Sequence, residues 1–148
     1  MPTLILICGL PGSGKTTLAK RLEIERPALR LTPDEWLARM AVDGYDEDKR
    51  KAVELLQWDI AQRALGLGDD VILEWGFWTR RERDEIRAQA ARLGASTKLY
   101  YLNVPLEDLK RRLVARNAAL PSETFPVEAA QLEMWAKQFE RPTQDELA

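Results

Sequence analysis

The sequence contains no histidine. Histidine-ligated metals and histidine acid–base chemistry are excluded, so any general base must be an aspartate or a glutamate. There is one cysteine, Cys8. No internal disulfide can form, which fits a reducing, cytoplasmic setting. Cys8 ends an apolar run and reads as a buried spacer, not a nucleophile. No apolar run approaches the roughly 20 residues that span a bilayer, so no membrane contact is expected. Met1-Pro-Thr3 leads straight into a strand-like run, and no signal peptide is expected. A charge surplus is also missing: the net charge is −2. That gives no global basic field for nucleic acid, although a local basic channel remains open. There is no repeat, low-complexity tract or linker. Residues 1–148 are expected to form one domain around one core.

What is present begins at the start of the chain. Thr3-Leu-Ile-Leu-Ile-Cys8 has strand length and strand composition. Gly9-Leu-Pro-Gly-Ser-Gly-Lys-Thr16 then fits G-x-x-x-x-G-K-S/T at every fixed position. Strand, glycine-rich turn and helix is the context a phosphate-binding loop needs. Gly9, Gly12 and Gly14 let the main chain close on an anion. Successive backbone N–H groups of the loop form a nest at a helix N-terminus; Gly9, Pro11, Gly12, Ser13, Gly14, Lys15, Thr16 and Thr17 are the candidate nucleotide contacts. Lys15 supplies a charge for the β- and γ-phosphates, and Thr16 a hydroxyl for Mg²⁺.

Further along, Lys15 to about Ile24 reads as a helix with Leu18 and Leu22 inward, and Ala28–Leu31 as a strand. Thr32, Pro33 and Glu35 form a capping-box pattern for a helix to about Ala41. Asp46 to about Leu67 reads as a long helix whose stripe is Val53, Leu56, Ile60, Ala64 and Leu67. Asp70–Glu74 is a strand. Thr79 and Glu82 form a second capping box, opening a helix to Leu93 that Gly94 closes. Lys98–Asn103 is a strand, Pro105 opens a helix, and residues 117–123 are a loop. Pro126 opens a last helix to Phe139; Trp58 and Trp135 fall on apolar stripes. The tail after Pro142 is expected to fray. Strands alternating with helices predict an α/β fold: a parallel sheet covered on both faces, with its ligand at the carboxyl ends of the strands.

The strand ends therefore carry the chemistry. Asp34, just after the second strand, is an ordinary position for dipole compensation. Its place at the ligand edge also makes it the candidate base for an attacking hydroxyl. Glu74 follows an apolar strand in the Walker-B manner and is the second metal candidate. Arg112 and Arg116 share a helix face and could neutralise a migrating phosphoryl. Arg80, Arg81 and Arg83 stand at a helix start, where cations are unfavourable. That hints at a nearby anion, with Arg83 the best placed. Trp75, Phe77 and Trp78 form either a packing plug or a substrate wall.

Together these residues resemble the small P-loop kinases grouped with polynucleotide 5′-kinases, zeta toxins and chloramphenicol phosphotransferase. More narrowly, the chain is similar to bacterial "AAA domain" ATP-binding proteins that lack the AAA+ apparatus. The features shared are Gly9 to Thr17, Asp34-Glu-Trp36, Val71 to Trp78 with Arg83, Leu102 to Leu106, and Arg112-x-x-x-Arg116-Asn117. The resemblance implies a three-layer P-loop fold with kinase-type strand order 2-3-1-4, usually extended by a fifth strand. It implies a general base at Asp34, an arginine by the adenine at Arg112, and a lid arginine at Arg116, within a helical lid of about residues 112–125. It also favours ATP over GTP. Three departures stand out. Leu37 replaces an arginine, the aromatic Trp75-Gly76-Phe77 run replaces a polar one, and no fifth strand is evident after Phe139.

The expectation is an ATP-dependent kinase using Mg²⁺, with Lys15, Asp34 and Arg116 catalytic, Thr16 and Glu74 at the metal, and a hydroxylated small molecule as acceptor. A polynucleotide or nucleoside 5′-hydroxyl kinase is the less favoured alternative, since two phosphate-holding groups are lost. A nucleotide-dependent regulatory ATPase without an acceptor is the third.

Overall fold

A computed structural model of the protein describes residues 1–120 and 124–147. The elements are β1 (Thr3–Cys8), α1 (Lys15–Glu25), β2 (Ala28–Leu31), α2 (Pro33–Arg39), α3 (Glu47–Gly66), β3 (Asp70–Gly76), α4 (Arg80–Arg92), β4 (Ser96–Tyr101), α5 (Leu106–Ala118), α6 (Ala129–Gln138) and α7 (Gln144–Leu147). The sheet is parallel, in the order β2-β3-β1-β4. No fifth strand occurs among the described residues. The expected lid loop includes residues 121–123, which lie outside the described residues.

Strand β1 is central, and Leu4 to Cys8 are all fully buried. Alternation sends Leu4, Leu6 and Cys8 to one core with Trp58, Ala61 and Leu65 of α3 and Ile86 and Ala90 of α4. Ile5 and Ile7 face the other side, against Ala19 and Leu22 of α1, with Leu18 packed at its margin. These are the two helical layers expected for a parallel sheet. A third cluster, Leu109, Leu113, Val127 and Leu132, brings α5 and α6 together beside Leu10 of the glycine loop.

Four local expectations need correction. The inner face of α3 is Val53, Gln57, Trp58, Ala61 and Leu65; Leu56, Ile60 and Leu67 are exposed. Trp58 sets this phase: its ring enters the core while Nε1 donates to Gln89 Oε1 at 2.6 Å. The Thr32–Glu35 capping box does not form. Glu35 instead accepts from Arg30 at 2.6 Å, a charge-assisted bond that outcompetes the backbone amide. Strand β4 starts two residues earlier than expected, and α6 starts at Ala129, capped by Glu128 with Gln131, instead of at Pro126.

The fourth correction is the tail, which forms α7 and docks. Glu146 accepts from Arg83 Nε at 2.8 Å and Arg87 at 2.9 Å, with its side chain 1% exposed. Arg80 binds Asp84, Asp145 and Thr143. The anion that Arg83 implied is thus a carboxylate of the chain itself. Burial opposes the charge on Glu146, but bonds from Arg83, the Thr143 amide and Arg87 hold its carboxyl down to about 2.

Glu146→Gln should lower unfolding free energy by about 3–5 kcal/mol, because Arg83 is left buried and unpaired. Urea denaturation measures this, and adding Arg83→Met should restore part of the loss. The depressed acid stabilises the fold above its ordinary value of 4.5. Wild-type stability should therefore fall as pH drops from about 4.5 towards 2, and less steeply in the Gln variant.

Candidate active site

The glycine loop leaves β1 at its carboxyl end. Gly12 and Gly14 take φ of +84° and +98°, and Gly14 is the N-cap of α1. At Gly9 an added Cβ would stand 2.6 Å from Ser13 Oγ, so any side chain here would force Ser13 to turn. Ser13 Oγ is buried with no partner among the described residues. Lys15 Nζ donates to the Gly9 carbonyl at 2.9 Å. Burial lowers the affinity of this ammonium for its proton, while the charges of Glu74 and Asp34 work against that. The cradle therefore holds a desolvated cation and an orphaned hydroxyl, both of which a phosphate would satisfy.

Thr16 Oγ1 donates to Glu74 Oε2 at 2.6 Å, joining the two expected metal residues directly. Leu6 pairs with Leu73 but Cys8 pairs with Gly76, so β3 carries one extra residue beside the loop. This bulge falls at Glu74–Trp75 and aims Glu74 at the start of α1. The other oxygen of Glu74 accepts from Arg30 at 3.3 Å, which fixes the carboxylate. Sequence reasoning passed over Arg30. Its one signal was a charge between Leu29 and Leu31 on a strand. The residues present fit a hard cation: one hydroxyl and one carboxylate, the remaining positions falling to phosphate oxygens and water. Among the described residues no cluster of three or more acidic or cysteine side chains provides a protein-only cage.

Asp34 extends from the first turn of α2 and bonds Arg50 of α3. Arg50 also donates to the Gly44 carbonyl at 3.0 Å. No spacing in the sequence linked residues 34 and 50. The Asp34 charge acts on both Lys15 and Arg116. Arg116 is half-buried and donates to the Phe125 carbonyl at 3.1 Å, while its Nε has no partner among the described residues. Burial lowers the proton affinity of this guanidinium; Asp34 and Tyr45 oppose the shift. Arg112 donates to the Gly12 carbonyl at 3.3 Å, so α5 lies against the loop. Pro11 sits in the same loop, and Thr17 is exposed on the first turn of α1.

The aromatic residues divide. Phe77 is buried at φ +49° and stacks on Trp75 at 5.7 Å. Trp75 donates to Gln57 Oε1 at 3.0 Å. These two are packing. Trp78 instead donates to the Gly9 carbonyl at 3.3 Å and tilts against Trp135, which stacks on Tyr45. Trp135 is half-buried and packs at the margin of the cluster of Leu109, Leu113, Val127 and Leu132. Cys8 is a spacer, as expected: burial pushes its thiol up to about 11, and it donates to the Phe77 carbonyl.

A family model described as an AAA domain matches residues 4–142. The chain belongs to this family, whose fold is that of the small P-loop kinases. Kti12 from Chaetomium thermophilum, solved with ADP-AlF3, is 22% identical with a TM-score of 0.72, over 95% of this chain and 81% of that one. A chain of the Pnkp1/Rnl/Hen1 RNA repair complex is 20% identical with a TM-score of 0.77; 93% of this chain covers 43% of that one. A gluconokinase from Sinorhizobium meliloti 1021 is 16% identical with a TM-score of 0.66, over 97% and 78%. No curated protein matches by sequence. No helix among the described residues is long and apolar enough to cross a membrane.

Glu74→Gln should weaken ADP binding by about tenfold when Mg²⁺ is present and change it little in EDTA. Calorimetric titration under both conditions checks this.

Proposed function

We propose that the chain is an ATP-dependent kinase that moves the γ-phosphate of ATP to a hydroxyl of a small-molecule acceptor, residues 1–148 acting as one P-loop domain. One observation carries the reading: Asp34, half-exposed, stands within electrostatic reach of both Lys15 and Arg116. A P-loop that only held nucleotide would need no carboxylate there. The kinases among the structural relatives support the same reaction class, and the ADP-AlF3 bound to Kti12 supports a nucleotide on the cradle. The lone buried Cys8 supports a reducing, cytoplasmic setting.

In this reading the Gly9–Thr17 segment wraps the phosphates, with the backbone amides at the start of α1 turned towards them, and Lys15 leaves the Gly9 carbonyl for the β- and γ-oxygens. Trp78 keeps that carbonyl satisfied. Thr16 and Glu74 would hold Mg²⁺, whose Lewis acidity would draw charge off the phosphate oxygens. Asp34 takes the proton of the acceptor hydroxyl as the new oxygen–phosphorus bond forms and ADP leaves. Arg116 balances charge on the migrating group, and Arg112 lies beside the base of the nucleotide.

Asp34→Asn should cut transfer by at least about a hundredfold with ATP affinity kept. Labelled ATP with a panel of hydroxylated acceptors, including a 5′-hydroxyl oligonucleotide, measures this. Full activity in the variant removes Asp34 as the base. Slow hydrolysis with no acceptor would favour a regulatory ATPase.

A further inference from the structure

The base assigned to Asp34 is not free. Arg50 bonds its Oδ1, so the carboxylate that must receive a proton is masked by a cation. The pair is open to solvent, with Arg50 34% and Asp34 48% exposed, and a pair this open holds weakly. Arg50 has a second anchor in the Gly44 carbonyl, so it stays at the site when it lets Asp34 go.

Charge around Asp34 is unbalanced. Lys15, Arg50 and Arg116 all face it, and Arg116 Nε is buried without a partner among the described residues. Glu74 is committed to Thr16 and Arg30. The next acid along α3, Glu54, is pushed up to about 7 by burial, with Glu82 and Asp34 adding to the effect. It is only partly ionised near neutrality, Arg50 favouring its charged form. The nucleotide phosphates would engage Lys15 and Arg116, which leaves Arg50 to be matched. Tyr45, stacked on Trp135, stands in the same electrostatic neighbourhood and gives the site a flat apolar side.

We infer that the acceptor is itself an anion: a hydroxyl compound carrying a carboxylate or phosphate a few bonds from the reacting hydroxyl. Arg50 takes that group and, in turning to it, releases Asp34 to act as base. Recognition and activation are then one exchange of ion pairs, and a neutral alcohol leaves the base masked. This rests on the kinase reading above.

Matched acceptors test it: gluconate against glucose, glycerate against glycerol, and adenosine 3′-monophosphate against adenosine, with product followed by phosphorus NMR. Wild-type protein should favour charged members by at least about tenfold in kcat/KM, since a charge-assisted bond is gained. Arg50→Gln should raise KM for the charged member by about tenfold and bring the ratio towards one. Arg50→Lys, which keeps the charge but not the fork, should fall between. The carboxylate and phosphate pairs identify which anion is taken. Equal use of charged and neutral members by wild type, or an unchanged ratio in Arg50→Gln, overturns the inference and leaves the kinase reading standing. No transfer to any member while ATP binds removes both. Should Arg50→Gln fail to fold, the wild-type ratios and Arg50→Lys still decide.

Discussion

One backbone hydrogen bond organises the site: Gly9 N donates to the Gly76 carbonyl at 3.1 Å. It ties the first residue of the glycine loop to the last residue of β3. To present that carbonyl, β3 takes a bulge and Gly76 a φ of +88°. Phe77 follows at φ +49°, a conformation that costs an ordinary side chain about 1–3 kcal/mol. The strain is over-determined. Arg83 donates to the Phe77 carbonyl at 2.8 Å, Cys8 Sγ lies at 3.3 Å from the same oxygen, and the ring is buried on Trp75. Arg83 is charged and fully buried, so Glu146 must be there as well.

Electrostatics divides the neighbourhood into two regions. Below the loop the charges are closed: Arg30 is shared among Glu23, Glu35 and Glu74, and Arg83 and Arg87 hold Glu146. These pairs fix backbone and carboxylate positions. Above the loop the charges are open. Lys15 rests on a carbonyl, Arg116 on another, and Asp34 and Arg50 on each other in partial solvent. Groups resting on weak partners can exchange them at small cost.

The sheet was legible because its signals are local. An apolar run before a glycine loop, strands of four to seven residues and capping boxes at Thr79 each fix their own neighbourhood. That Thr16 and Glu74 meet was legible for the same reason, since each ends a recognisable strand or loop. The phase of α3 was not. Leu56 and Ile60 repeat at helical spacing as well as Trp58 and Ala61 do, and only packing volume chooses between the two faces. Arg50 on Asp34 and Glu146 on Arg83 were hidden for another reason. They join residues 16 and 63 positions apart, and charges carry no periodicity. The misplaced arginines of α4 did announce an anion, but not which one.

The pairing of Arg83 with Glu146 has a consequence for the order of assembly. A chain synthesised from its amino end exposes the glycine loop and β3 early. The clamp on the β3 exit closes only after the 63 residues separating Arg83 from Glu146 have been made. Until then Arg83 stays hydrated and the Phe77 turn is free to relax. The exit of β3 is thereby fixed by a segment made well after the glycine loop that it holds in place.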